Sequence, residues 1–404
     1  MGGPGVSGGD RRLQTSPYLT RVVPGEASPV SYWSDTSGPT TPIGEPPGPG
    51  VLFGIVGLDR RIVWQSDQTM LDLLHASAAG PVRAGALTER FGVELVAAAV
   101  AREWLQEPGE VCRGYHLISG EIEVTAHCNW GCRFCPVATD PKPRRTMPLG
   151  LFEEVAAKLA AVPTVRYVTF QFFNEPLLDR LFTDRLDVLA RKGLQLALYT
   201  NASALAPDRI EALRRPGALR HLIVNLPSSD EAEFARLTGS RSFRQTTANL
   251  DAAIEAGLPV QIVVNGVGPS LARNLAGVRA RYEPAGVEVF ASATCDRAGA
   301  VGGDYFQNID IRGRLTGCGW PVHHANISVA GDPFLCCNDY YQRERFGNIT
   351  AGSIHELMTS DAAVTLRRQV FGVYDAPAGL PCRRCHNQRL DYGAREFRPL
   401  ATFG

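Results

Sequence analysis

From Glu121 to about Ala293 the chain alternates short apolar runs with longer stretches whose apolar residues recur at helical spacing. Strands are expected at residues 120–125, 165–172, 194–200, 221–225, 259–265 and 286–291, with helices at 151–162, 179–192, 207–214, 243–255 and 270–281. Strands joined by crossover helices lie parallel in one sheet. Six such units in a row specify an α/β fold built on a partial (β/α)6 barrel. In such barrels the chemistry sits at the carboxyl ends of the strands, so the segments just after each strand become the candidate site.

The flanking segments differ. Residues 1–50 are rich in Gly, Pro, Ser and Thr and are expected to form an irregular arm, because that composition cannot supply a packed core. Residues 51–118 combine strand-like stretches at 51–57 and 61–64 with helical runs at 69–78 and 93–104, which predicts a small separate α+β domain. The barrel takes residues 119–300. From 301 to 404 the repeat gives way to short strands, turns and cysteines, a third, metal-organised module.

Forty-one basic residues balance 41 acidic ones, and no long run of either sign offers a footprint for nucleic acid or a membrane surface. No stretch reaches the roughly 18 apolar residues of a membrane span, and the start lacks the apolar core of a secretory signal. The chain is therefore expected in the cytoplasm. Ten cysteines in a reducing compartment argue for metal ligation or redox chemistry ahead of disulfides.

Cys128, Cys132 and Cys135 stand in the loop after the first strand at C-x3-C-x2-C spacing. Three thiolates from one loop wrap one face of a 4Fe-4S cubane, which needs four ligands, so one iron stays open. Zinc is the alternative. It usually takes two C-x2-C pairs, however, and His127 adjoins Cys128 too directly to share its metal. The stretch Thr125-Ala126-His127-Cys128-Asn129-Trp130-Gly131-Cys132-Arg133-Phe134-Cys135 resembles the radical S-adenosylmethionine (SAM) superfamily. The resemblance implies that the open iron takes the amino and carboxylate groups of SAM, that an electron splits the sulfonium to release a 5′-deoxyadenosyl radical, and that Phe134 lies beside the adenine.

Phe173-Asn174-Glu175-Pro176 stands where the superfamily usually carries Gly-Gly-Glu-Pro, which implies a place for Asn174 and Glu175 at the SAM amino group. An ordinary loop acid before a helix is the other reading of Glu175. Tyr199-Thr200-Asn201 resembles the Thr-Asn element near the SAM ribose and carboxylate, although Thr-Asn also begins many turns. Asn225-Leu226-Pro227-Ser228 stands where relatives often have Ser-Leu-Asp, so Ser228 either touches SAM or substrate or caps a helix over 230–237.

Cys318, Cys336, Cys337, Cys382 and Cys385 occupy a segment that resembles the SPASM/twitch extensions of radical SAM enzymes. The twitch form holds one auxiliary 4Fe-4S cluster through four cysteines. The resemblance implies Cys318, Cys336, Cys382 and Cys385, with Cys336 preferred to Cys337 because relatives place the ligand five residues after the glycine matched by Gly331. An all-cysteine cluster has no site for substrate and serves electron transfer; zinc in the same thiolates is the alternative. His323 and His324 are neighbours that face opposite ways on a strand and read as packing or hydrogen-bonding residues. Cys295, just beyond the sixth strand, is spare in this count. It is either a hydrogen donor to the substrate or a small buried side chain.

These expectations describe a radical SAM oxidoreductase or epimerase that abstracts a hydrogen atom from a substrate C–H bond. A ribosomally made precursor peptide is the first substrate, to be cross-linked, oxidised or epimerised. Met70-Leu71-Asp72-Leu73-Leu74 and Leu87-Thr88-Glu89-Arg90-Phe91-Gly92, followed by the helix over 93–104, resemble a winged-helix precursor-recognition element. Such elements add a leader peptide to an exposed sheet edge, here 51–57 or 61–64. A scaffolding or dimerisation domain is the other reading. A sugar or aminocyclitol of natural-product biosynthesis is the alternative substrate, and an iron-sulfur or zinc-containing regulatory protein the alternative of another class. Expected partners are the substrate and an electron donor such as flavodoxin or ferredoxin, with no nucleic acid and no membrane.

Overall fold

The computed structural model describes residues 11–24, 48–215, 217–301, 306 and 309–385. These divide into two compact units, the first within Met1–His116, Asp310–His323 and Met358–Gly404, the second within Leu117–Ile309 and His324–Leu357.

The first unit contains two small antiparallel sheets. One has β1 (Arg12–Thr15) between β5 (Val82–Arg83) and β6 (Leu105–Gln106); the other runs β2 (Thr20–Val22), β3 (Phe53–Val56), β4 (Ile62–Gln65). Among their helices are α1 (Thr69–Ala76), α2 (Ala84–Phe91) and α3 (Val93–Ala101). Helix α1 buries Met70, Leu71, Leu73 and Leu74, the i, i+1, i+3, i+4 stripe of an amphipathic helix. These side chains pack with Leu13, Leu19, Phe53, Ile55, Leu87, Val96 and Trp104 into one apolar core. Two expectations are corrected here. The segment 1–50 is not wholly irregular, because Arg12–Thr15 and Thr20–Val22 are strands; their ladder partners, such as Val82 and Leu105, lie far along the chain, where local composition gives no sign of them. Residues 51–57 do not offer a free edge either, since β3 is the central strand, while β4 is an edge strand among the described residues. Gly54 lets β3 carry the Trp64 ring, because a Cβ there would lie 2.8 Å from Trp64 Cε3.

The second unit is the barrel. Its strands β7 (Ser119–Ile122), β8 (Tyr167–Phe170), β9 (Gln195–Thr200), β10 (Leu219–Asn225), β11 (Val260–Gly266) and β12 (Glu288–Ala293) pair in parallel in chain order. Between them run α4 (Leu149–Ala160), α5 (Phe182–Lys192), α6 (Pro207–Leu213), α7 (Glu231–Thr238), α8 (Phe243–Glu255) and α9 (Gly268–Tyr282). Gly120 permits a close approach of α4, since a side chain there would strike Leu159. The sheet continues past β7 through β13 (His324–Ile327), parallel to it, and β14 (Pro333–Phe334), antiparallel. Two short strands of the carboxy-terminal segment thus extend the barrel sheet. A four-residue buried strand such as β13 shows no alternation in sequence, yet it covers the backbone edge that β7 would otherwise leave open.

Among the described residues no helix is long and apolar enough to cross a membrane.

Candidate active site

Glu121, on the interior face of β7, is 2% exposed and takes hydrogen bonds from Ser119 Oγ (2.6 Å), Thr169 and Gln171, with His324 Nδ1 at 3.3 Å. These bonds offset its desolvation and hold the carboxyl below its ordinary value. Glu123, two residues on, accepts from Lys142 Nζ at 2.8 Å, Gln342 Nε2 at 2.8 Å and the Val329 N–H at 3.1 Å. The first strand thus enters the site through a fully partnered polar floor.

The cysteine loop follows directly. Its backbone is tied to the end of α7, with Gly131 N–H donating to Thr238 O and Arg133 N–H to Leu237 O, both at 3.0 Å. Trp130 stacks edge-on against Phe234 at 5.0 Å and donates to Ser242 Oγ at 3.2 Å. Gly239, at φ +64°, packs against the Gly131 carbonyl. Burial pushes the Cys128 thiol up to about 12 and raises Cys132 well above its ordinary value, with neighbouring thiols adding to both shifts. At Cys135 burial also raises the thiol, opposed by a backbone hydrogen bond at Val137 and then by the charges of Arg297 and Lys142. Thiols this hard to ionise lose their protons when a metal takes them. Their donor set suits a cubane, whose three thiolates sit on three different irons. Among the described residues no three His, Cys, Asp or Glu side chains converge as ligands of a single metal ion.

Phe172 and Phe173 lead from β8 into the next loop with φ of +84° and +63°. The left-handed backbone that glycine would supply is kept although neither residue is glycine. Asn174 Nδ2 donates to Thr125 O (2.6 Å) and Gln171 O (3.1 Å), while its Oδ1 is buried without a hydrogen-bond partner. Glu175 is completely buried, and its N–H donates to His127 O at 2.8 Å, joining this loop to the cysteine loop. Its carboxylate accepts from Thr200 Oγ1 (2.7 Å), Leu177 N–H (3.0 Å) and Asn201 N–H (2.6 Å). A carboxylate has about four acceptor positions, so one remains. Burial nevertheless raises its pKa from 4.5 to about 7.

Asn201 Nδ2 reaches Asn129 Oδ1 at 2.9 Å and Cys128 Sγ at 3.9 Å. Thr200 and Asn201 are therefore bonded to Glu175 and to the cysteine loop, which brings three of the sequence elements together. Phe134 is buried. Ser228 is 1% exposed and donates to Asn274 Oδ1 at 3.2 Å, whereas the cap of α7 is Asp230, whose carboxylate accepts from Glu233 N–H at 2.8 Å.

Beyond β12, Cys295 is half-buried with Sγ 3.9 Å from Asn338 Oδ1, and Arg297 Nη1 lies 3.4 Å from the same oxygen. Arg297, Lys142, Asn338 and Tyr340 escaped sequence reasoning, since none belongs to a motif. The strand-end rule applied to the residues after Cys295 would have raised Arg297. Of the carboxy-terminal cysteines, Cys318, Cys382 and Cys385 belong to the first unit, and Cys336 and Cys337 to the second. The adjacent histidines divide likewise: His323 Nδ1 meets His116 O at 2.9 Å in the first unit, and His324 Nδ1 meets Ser119 Oγ at 2.8 Å in the second.

Comparison with known proteins matches residues 122–270 to the radical SAM superfamily and residues 318–386 to SPASM, an iron-sulfur cluster-binding domain. A curated relative, GTP 3′,8-cyclase of Cronobacter sakazakii (strain ATCC BAA-894), is 30% identical over 149 residues, which are 34% of this chain and 42% of that protein. The chain thus spans less than half the length of this relative. Among solved structures, SuiB of Streptococcus suis bound to the precursor peptide SuiA is similar with a TM-score of 0.54 and 11% identity, over 87% of this chain and 90% of that one. The structure of anSMEcpe with bound AdoMet is similar with a TM-score of 0.50 and 13% identity, over 64% of this chain and 82% of that one. At these identities the likeness establishes the fold.

Proposed function

We propose that this chain, which carries a radical SAM domain and a SPASM domain, abstracts a hydrogen atom from a ribosomally made peptide and resolves the peptide radical by oxidation, cross-linking or epimerisation. Both domains imply 4Fe-4S clusters, and SAM accompanies the first. When bound, the cluster and SAM together supply a 5′-deoxyadenosyl radical, with the electron drawn from a flavodoxin or ferredoxin. Cys128, Cys132 and Cys135 hold the first cluster. The unpartnered Asn174 Oδ1 and the last acceptor position of Glu175 take the SAM ammonium, Thr200 and Asn201 fix Glu175 for that task, and Phe134 and Ser228 complete the SAM pocket. Cys318, Cys336, Cys382 and Cys385 hold one auxiliary cluster. Cys295 is the thiol placed to return a hydrogen atom in an epimerisation.

The observation that carries the peptide reading is the fold shared with peptide-bound SuiB over 87% of the chain, a reach well beyond the barrel unit. The first unit supports it with an antiparallel sheet in which β4 is an edge strand among the described residues. Gly57 N–H bonds to Arg61 O, so by antiparallel alternation Ile62 turns its N–H away from β3, the side on which a strand could add. The test uses the full chain, reconstituted and given dithionite, SAM and a short precursor peptide encoded beside its gene. The expected result is 5′-deoxyadenosine together with a modified peptide. Ile62→Pro should weaken peptide turnover about tenfold, on the order of one backbone hydrogen bond, with peptide-independent SAM cleavage intact. A peptide that is never modified, or one modified equally well by Ile62→Pro, counts against the reading.

A further inference from the structure

Phe173 holds a backbone conformation with φ +63°, directly after Phe172 at +84°. A bulky residue there is strained, which glycine would avoid. The strain goes with a specific placement of the ring. The Arg297 guanidinium lies over its face, 5.4 Å from the centroid, and Tyr340 meets it edge-on at 5.1 Å. Arg297 Nη1 also approaches Asn338 Oδ1 at 3.4 Å, and its own backbone is left-handed at φ +51°. A second cation, Lys142, lies 5.0 Å from the Tyr340 centroid and pairs with the buried Glu123 carboxylate at 2.8 Å. Tyr340 in turn donates to the carbonyl of Asp140, five residues beyond Cys135, at 2.5 Å. Phe173 is two residues from Glu175, whose N–H bonds to His127 beside Cys128. The aromatic pair thus fixes the guanidinium between the Glu175 loop, which bonds to the cysteine loop, and Tyr340, which bonds to the segment after Cys135.

We propose that Phe173 is a positioning residue that holds Arg297 beside the Cys135 side of the cluster site, where the guanidinium stabilises the reduced, more negative cluster. Reduction adds one electron from the external donor, with no bond made or broken and no proton required. A fixed positive charge at short range favours that added negative charge. This inference rests on Cys128, Cys132 and Cys135 holding the cluster.

The test is a potentiometric titration of the reconstituted full chain without SAM, followed by electron paramagnetic resonance. The relevant signal is identified by its change when SAM is added. Arg297→Gln should lower the ratio of reduced to oxidised cluster at a given potential about tenfold, equal to ~59 mV for one electron. Arg297→Lys should recover much of it. Phe173→Gly should lower the midpoint as Arg297→Gln does while the chain keeps its full iron content, a pairing that a merely structural role would not produce. Full iron content with an unchanged midpoint in both Arg297→Gln and Phe173→Gly overturns the proposal and leaves the cluster assignment standing. An effect confined to SAM affinity, with the SAM-free midpoint unmoved, also overturns it. Failure of the unsubstituted chain to hold iron at the three cysteines would instead remove the cluster reading itself.

Discussion

The apolar core of the first unit joins Leu13, Leu19, Phe53, Ile55, Met70, Leu73, Leu87 and Trp104. The mouth of the barrel buries Glu121, Glu123 and Glu175 at 2% exposure or less, each held by several donors. Apolar packing is non-directional and tolerates exchange of one aliphatic residue for another. Buried carboxylates are costly unless every partner is in place, so they persist where an exact arrangement of polar groups is needed. The first unit therefore has the build of a scaffold or docking module, and the barrel mouth that of a site.

The largest expected effect separates the two regions outright. Replacing Cys128, Cys132 and Cys135 together by Ala should remove about four irons per chain and abolish formation of 5′-deoxyadenosine, while the melting transition of the first unit stays in place. Iron analysis, product assay and calorimetry on one preparation decide the matter. SAM cleavage that survives the triple substitution would end the assignment of the site.

A cavity in the apolar core should do the reverse. Leu73 is fully buried on α1, and Leu73→Ala is expected to cost about 2–5 kcal/mol of the first unit's stability through lost packing and the space left behind. Peptide turnover should fall, and peptide-independent SAM cleavage at a temperature below the new transition should remain. Equal loss of both activities would mean that the two regions do not divide the work in this way.

This contrast also sets what the sequence reveals. The apolar stripe of α1, the six barrel strands and the cysteine spacing are periodic or local, and each stands in the structure close to where its pattern places it. Strands β1 and β2 were hidden because a four-residue and a three-residue strand in a Gly/Pro/Ser-rich stretch owe their existence to distant partners. The same applies to β13, which joins the barrel some 200 residues after β7. Asn174, Glu175, Thr200 and Asn201 stand out in the sequence through their resemblance to a family, and the structure gathers them at neighbouring strand ends. The linkage of Thr200 and Asn201 to the Glu175 carboxylate was not legible, because hydrogen bonds between separate strand ends leave no spacing to read. Arg297 and Phe173 show the limit most clearly: a departure from glycine reads as a loss in the sequence, and only the fold pairs it with a cation.

The smallest effect expected is a pH dependence that belongs to the barrel mouth alone. Burial raises Glu175 from 4.5 to about 7, against three hydrogen bonds that lower it. A carboxyl whose folded pKa lies above its unfolded one binds its proton more tightly in the folded chain. Its contribution to stability is therefore fully present below pH 4.5 and is lost as the pH rises through about 7. A SAM ammonium at the remaining acceptor position favours the carboxylate, so below that pKa binding must expel a proton. SAM affinity should then weaken as the pH falls from about 7.5 to 5.5, approaching tenfold per unit at the acid end. Glu175→Gln, which carries no titrating proton, should bind SAM more weakly at neutral pH but with little change across this range. Equilibrium binding measured anaerobically on the unreduced protein isolates the step from catalysis. A flat profile in the unsubstituted chain would show that Glu175 keeps one protonation state with and without SAM, and that its three donors serve only to brace the loop.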